Sequence, residues 1–232
     1  MYVAAKGCHS VVVNGRVPTP DLRGICPWSV NGKNIRYQTR NISALLRPGN
    51  NNLEVFMVVR HHQIDFASGA LVFPGGKADP QDFDDSLIPH LHGAADHTDM
   101  RAAQVSAIRE AFEECGILLA REVGSEDIIS AKRLESLQDQ REPMNKGEIT
   151  LLDFLRNEQL VLACDELTHF AHWITPPMMP KRFDTHFYLA IPPKDHIAVH
   201  DGYESVDSVW IDPAEAISGA QNGTYTIIFP TL

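Results

Sequence analysis

Three carboxylates fall within five residues in the stretch Arg109-Glu110-Ala111-Phe112-Glu113-Glu114-Cys115-Gly116-Ile117. On an α-helix each residue advances about 100°, so Glu110, Glu113 and Glu114 would share one arc about 100° wide. Val105, Ile108, Phe112 and Cys115 would form a stripe on the opposite side. The stripe is expected to face a core and the carboxylates to face away from it. Like charges this close raise one another's pKa. A hard divalent cation such as Mg²⁺ relieves that repulsion, because it binds carboxylate oxygens and keeps several waters. Taken alone, the cluster reads first as a solvated acidic helix face.

The neighbouring residues separate the two readings. Gly116 stands where a helix C-terminus places a left-handed residue. Upstream, Leu71-Val72-Phe73-Pro74-Gly75-Gly76-Lys77 reads as a short apolar strand entering a Gly-Gly turn. Such a turn lets backbone approach a phosphate or a helix closely. Thr98 or Asp99 is a suitable N-cap, which predicts a helix from about Asp99 to Cys115.

Phe73-Pro74-Gly75-Gly76-Lys77 followed by Arg109-Glu110-x-x-Glu113-Glu114-x-Gly116-Ile117 resembles the Nudix box. In that box Gly is followed after five residues by Glu, and after seven more by Arg-Glu-apolar-x-Glu-Glu-x-Gly-apolar. The second half matches, with Ala111 a small choice at the apolar position. The first half departs: Asp82 stands where the box has Glu, and 26 residues separate it from Arg109, so about 19 are inserted. The resemblance implies an α+β fold, the Nudix α/β/α sandwich, with a mixed β-sheet, an insertion within the box and an extra helical pair. It implies Mg²⁺ or Mn²⁺ on Glu110, Glu113 and Glu114, with Arg109 holding the acids and the loop. Glu204, which precedes the Trp210 strand, joins the candidate catalytic set, since an acid from that region can reach the metals in Nudix enzymes. One of these four acids would serve as general base. Asp79 and Asp82 are weaker candidates, because the insertion re-routes the loop after them.

Other segments resemble the coenzyme A diphosphatase branch of the same family. They are Val59-Arg60-His61-His62, Phe66-Ala-Ser-Gly69, His172-Trp173-Ile174-Thr175-Pro176 and Lys181-Arg182-Phe183-Asp184-Thr185-His186-Phe187-Tyr188. That resemblance implies metal-dependent hydrolysis of the diphosphate bond of coenzyme A or acyl-CoA. The alternatives are another nucleoside diphosphate derivative, such as ADP-ribose or NADH, and a nucleotide-binding module without turnover. Gly75, Gly76, Lys77, Arg60 and Arg182 are the candidate substrate contacts, with Arg101 and Lys181 as further cations. Within the insertion, His90, His92 and His97 could form a zinc triad, but no Cys lies nearby and the spacing fits no strong template. A solvated loop or lid is the expected form of this segment.

Composition bounds the partners. A chain of 232 residues with net charge −10 lacks the basic surface that non-specific nucleic-acid binding relies on. No apolar run approaches the ~18–20 residues that span a bilayer, so no membrane partner is expected. The expected partner is a small nucleoside diphosphate, coenzyme A-like; a homodimer is the assembly considered. The start has no secretory h-region, and Cys8, Cys26, Cys115 and Cys164 form no CxxC pair. The end, Phe229-Pro230-Thr231-Leu232, has no Ser-Lys-Leu-type tripeptide. A cytoplasmic location is therefore expected.

Residues 1–36 read as an N-terminal extension and 37–232 as one Nudix-like domain. Asn14-Gly15 signals a hairpin in the extension. Helices are predicted over 125–140 and 149–155, separated by a break at Glu142-Pro143-Met144-Asn145. Strands are predicted over 167–174, 185–191 and 208–211, with a final helix opening at Asp212-Pro213.

Overall fold

The structure, a computed structural model, describes residues 3–10, 29–30, 33–34, 54–60, 69–179, 181–193, 205–228 and 230–232; 3–10, 29–30, 33–34 and 205–206 are described as backbone alone. The predicted hairpin at Asn14-Gly15, residues 42–52, Cys26, Glu204 and the side chain of Cys8 lie outside the described residues. In chain order the elements are β1 (Val3–Ser10), β2 (Ser29–Val30), β3 (Lys33–Asn34), β4 (Val55–Arg60), β5 (Leu71–Val72), β6 (Leu91–His92), α1 (Thr98–Cys115), β7 (Ala120–Glu122), α2 (Ala131–Glu135), α3 (Arg141–Asn145), α4 (Leu151–Asn157), β8 (Leu160–Ala163), β9 (Thr168–Ile174), β10 (Asp184–Ala190), β11 (Ser205–Ile211) and α5 (Pro213–Asn222).

The run Val55-Phe56-Met57-Val58 is apolar without alternation, which is the pattern of a strand buried on both faces. β4 is such a strand, paired antiparallel with β11 and β5. Val55 and Met57 pack with Ile211 and Ala216 of α5. Phe56 and Val58 pack on the other side with Cys115 at the end of α1 and with Ile117. The sheet is thus covered by a helix on each face, giving an α+β sandwich. A second sheet is mixed: β1 runs parallel to β10, from Val3↔Asp184 to Ser10↔Ala190, and β9 runs antiparallel to β10. The N-terminal stretch therefore supplies an edge strand to this sheet.

α1 carries the largest core cluster. Val105, Ile108 and Phe112 are buried together with Leu118, Leu134, Leu151, Phe154 and Leu162, and the rings of Phe112 and Phe154 stack at 5.5 Å. The helix ends at Gly116, left-handed at φ 69°, as its sequence position requires. The Gln138 side-chain amide donates to the Gly116 carbonyl, and the Arg141 guanidinium donates to that of Glu113. The helical pair after α1 thus satisfies carbonyls that a helix C-terminus leaves without partners. The first of the pair is shorter than its sequence pattern, 125–140 being helical only from Ala131; the second, expected over 149–155, is α4, and the expected break at Glu142-Pro143 lies within α3.

The inserted segment is not a solvated loop. Pro80–Phe83 and Asp85–His90 form 3₁₀ turns, capped by the Asp79 and Asp84 side chains. β6 joins β8 in parallel, within a sheet of order β6-β8-β7. Leu87 is 1 % exposed within the α1 core. Arg121 of β7 ties the segment down, forking onto Asp165 at 2.6 and 2.9 Å while also contacting Glu166 and His92. The zinc reading of this segment finds other partners in its place. His90 faces the Leu160 carbonyl, and His92 pairs with Asp165.

Truncating Leu87 tests whether the insertion is core. Leu87→Ala should lower the unfolding free energy by about 2–5 kcal/mol, the cost of a fully buried leucine. A urea titration reads this directly. A change within about 0.5 kcal/mol, as at an exposed loop position, would mean the segment is dispensable to the fold.

Candidate active site

Arg109 is 6 % exposed and engaged on every side of its fork. Nε and Nη2 donate to the two oxygens of Asp82, each at 3.0 Å, and Nη1 donates to Glu113 Oε2 at 2.8 Å. Nη2 also lies 3.0 Å from Glu110 Oε1 and 3.3 Å from the Lys77 carbonyl. One guanidinium therefore joins the Gly loop, the first 3₁₀ turn of the insertion and α1. Asp82 itself is 2 % exposed, and its Oδ2 accepts the Asp79 amide. The acidic surroundings push the Arg109 pKa further above its already high value, outweighing the opposing effect of burial.

The Gly-Gly turn meets the same helix. The Gly75 amide donates to Glu114 Oε2 at 2.9 Å. A Cβ on Gly76 would lie 2.3 Å from Glu110 Oε2, so only glycine leaves room for that carboxylate. Of the two approaches open to such a turn, the one made is to the helix. The Gly75 and Gly76 of the candidate substrate set are thus packed against the acids.

Glu110, Glu113 and Glu114 stand on one arc of α1, opposite the apolar stripe, but they do not face solvent. Glu113 and Glu114 are 7 % and 6 % exposed. The helix is covered on both sides: by the core on one, and by residues 75–83 on the other. Burial is the main reason that the pKa of Glu113 is raised and that of Glu110 lies well above the usual carboxylate range. Arg109 opposes both shifts, while Glu114 and Glu113 add to that of Glu110. The donor set is all carboxylate, dehydrated and anionic beyond what one arginine balances. An ionised carboxylate accepts at about four lone-pair positions, so one that accepts from Arg109 or Gly75 can bind a cation as well. These residues fit a hard divalent ion.

The candidate cations are dispersed. Lys77 is exposed, and its carbonyl serves the Arg109 fork. Arg60, at the end of β4, has a buried Nε with no hydrogen-bond partner among the described residues. Arg182 is exposed and donates to the Thr175 carbonyl, Lys181 lies 5.5 Å from the Phe183 ring, and Arg101 pairs with Asp85. Two contributors escaped sequence reasoning. Asp82, rated weak because of the insertion, is the main partner of Arg109; its place five residues after Gly76 was the available signal. Arg141, which closes the end of α1, had none, because its spacing from the cluster follows no pattern.

Among known proteins, the chain is 27 % identical over 193 residues to a Caenorhabditis elegans protein named "Putative nudix hydrolase 7", covering 81 % of this chain and 56 % of that protein. It is 25 % identical over 204 residues to the acyl-coenzyme A diphosphatase NUDT19 of Xenopus laevis, covering 71 % and 54 % respectively. The chain thus spans about half the length of these curated relatives. A solved Nudix hydrolase from Alicyclobacillus acidocaldarius superposes with a TM-score of 0.60 at 26 % identity, over 78 % of this chain and 80 % of that one. Residues 93–231, more than half of the chain, match the family model described as the NUDT19 Nudix domain, and the chain belongs to the Nudix family.

Proposed function

We propose that the chain is a divalent-metal-dependent diphosphatase that cleaves the diphosphate bond of coenzyme A or an acyl-CoA. The observation that carries the proposal is the buried carboxylate set Glu110, Glu113 and Glu114, clamped beneath the Gly75-Gly76 turn by the Arg109–Asp82 fork. The substrate class rests on the likeness to the Xenopus laevis acyl-coenzyme A diphosphatase and on the segments at 59–76 and 172–188. Substrate and partners are read for the whole protein from a relative that the chain covers only in part.

In this reaction the oxygen of water bonds to one phosphorus, the bridging oxygen leaves with the other phosphate, and the proton released goes to a base. The products are adenosine 3′,5′-bisphosphate and (acyl-)phosphopantetheine. Mg²⁺ or Mn²⁺, held by Glu110, Glu113 and Glu114, would neutralise phosphate charge and make a water molecule more acidic. Arg109 is a positioning residue: it fixes two of the three acids and the Lys77 carbonyl at set distances. The base is one of the three glutamates or Glu204. Arg60, with its buried Nε lacking a partner among the described residues, is the cation best suited to take up a phosphate oxygen. Lys77 and Arg182, both exposed, would meet the rest of an anionic substrate.

Glu113→Gln and Glu114→Gln should each cut Mg²⁺-dependent hydrolysis at least about 100-fold, the scale for removing one transition-state electrostatic contact, with circular dichroism unchanged. A panel of coenzyme A, acyl-CoA, NADH and ADP-ribose, with products identified by mass, tests the substrate. Preferential release of AMP from ADP-ribose or NADH would replace the coenzyme A reading, while binding without turnover of any member would favour a nucleotide-binding module. Asp82→Asn should destabilise the fold by about 3 kcal/mol in urea, since it removes one charge of a buried pair. Gly76→Ala should weaken Mg²⁺ binding by displacing Glu110, with a smaller effect on stability.

A further inference from the structure

A second group of metal-binding side chains lies on β9 and β10, away from the carboxylate cluster. His172 and His186 are directly opposite each other across the two strands. Their rings stack at 3.9 Å and 15°. His172 Nε2 contacts Asp184 Oδ1, and His186 Nε2 lies 3.9 Å from the same oxygen. One ligand atom from each of the three residues lies within 4.8 Å of the others.

The strand pairing is irregular at this point. Phe187 pairs with Ala171 but Tyr188 with His169, so Phe170 is the extra residue of a bulge. In an unbroken strand His169 and His172, three apart, would point to opposite faces. The bulge re-aims His169 onto the face that carries His172 and His186. There its Nε2 lies 3.0 Å from His186 Nδ1. When that contact is His186 Nδ1–H donating to His169, His186 Nε2 carries a lone pair and faces a carboxylate oxygen. Two lone-pair atoms 3.9 Å apart, with an imidazole on the same oxygen, leave a place for a cation. Metal-bound histidines commonly have this arrangement, the outer ring nitrogen hydrogen-bonded to a second group that fixes the tautomer.

We propose that His172, Asp184 and His186 form a binding site for a transition-metal ion of the Zn²⁺ class, with His169 orienting His186. Two imidazoles and one carboxylate are a borderline donor set that suits Zn²⁺ better than Mg²⁺. Tetrahedral Zn²⁺ with ligands at ~2.0–2.1 Å holds its donors about 3.3–3.4 Å apart, so small side-chain rotations would close the set. Three protein ligands leave a fourth position for water, and the partial exposure of His172 and Asp184 gives solvent access. The site lies on β9 and β10, whereas the carboxylate cluster lies on α1 beneath the Gly75-Gly76 turn. The ion would pin the β9–β10 pair and thereby the 175–183 connection that carries Lys181 and Arg182.

The test uses the full chain, stripped by chelator and titrated with Zn²⁺ against a competing indicator and with Co²⁺ for its visible spectrum. A Glu113→Gln/Glu114→Gln variant should keep one equivalent of Zn²⁺ and a four-coordinate Co²⁺ spectrum. His172→Ala should weaken this equivalent at least about tenfold, and His169→Phe by about 10–100-fold, the range for a lost outer-shell partner. His172 is partly exposed, so its variant reports even where His186→Ala does not fold. Zn²⁺ affinity unchanged in His172→Ala, or Zn²⁺ lost only in the glutamate variant, would overturn the site. Neither readout depends on diphosphate hydrolysis.

Discussion

A guanidinium taken out of water must be answered wherever it presents a proton, and Arg109 is answered by four separate groups. That requirement fixes the local architecture. Asp82 has to sit under the fork with both oxygens, which places the first turn of the insertion against α1. The Lys77 carbonyl has to point inward, which holds the Gly loop one step from the helix. Glu113 and Glu110 then share a cation that no solvent screens. Removing either side of such a pair leaves a charge buried alone, which costs more than the pair itself contributes.

The same clamp explains why a long insertion between the loop and the helix is tolerated. Lengthening a connection adds little closure entropy, about 0.6 kcal/mol per doubling. Here the added segment also returns something. Leu87 enters the α1 core, β6 extends the β8 sheet, and the Arg121–Asp165 fork fixes the strand end. The Arg109–Asp82 fork joins the two flanks of the insertion, and the Arg121–Asp165 fork reaches its middle through His92.

What the sequence made legible was local and typed by residue. Gly116 marked the end of α1 and Asp212-Pro213 the start of α5. The three glutamates were found together on one arc, opposite the apolar stripe, as expected. A helical wheel shows which face is apolar, but not whether something distant covers the other. The cover is the 75–83 segment, more than 25 residues away in sequence and held by polar contacts rather than by an apolar pattern. The 3₁₀ turns of the insertion escaped for a related reason: their single buried leucine gives no periodicity, and their shape follows from docking. The first helix of the pair was over-extended at its start because residues 128–129 pair with β7 instead, through the Arg121–Ile128 bridge and the Ile129 amide donating to the Ala120 carbonyl, again a tertiary cause.

The chemistry that each element can present follows from its own geometry. On α1 the positions i, i+3 and i+4 bring Glu110, Glu113 and Glu114 to one side, and the glycine turn lets backbone close over them. The result is a dehydrated, all-oxygen set suited to a hard ion. β9 and β10 work by period two and by cross-strand pairing, which aligns His172 with His186 and places Asp184 diagonally. Only a bulge at Phe170 can add a third imidazole from a position three residues away. The softer donors therefore gather where the sheet is irregular, and the harder ones where the helix is most regular. Were ions held at both places, selectivity between two classes of cation would thus follow from backbone periodicity.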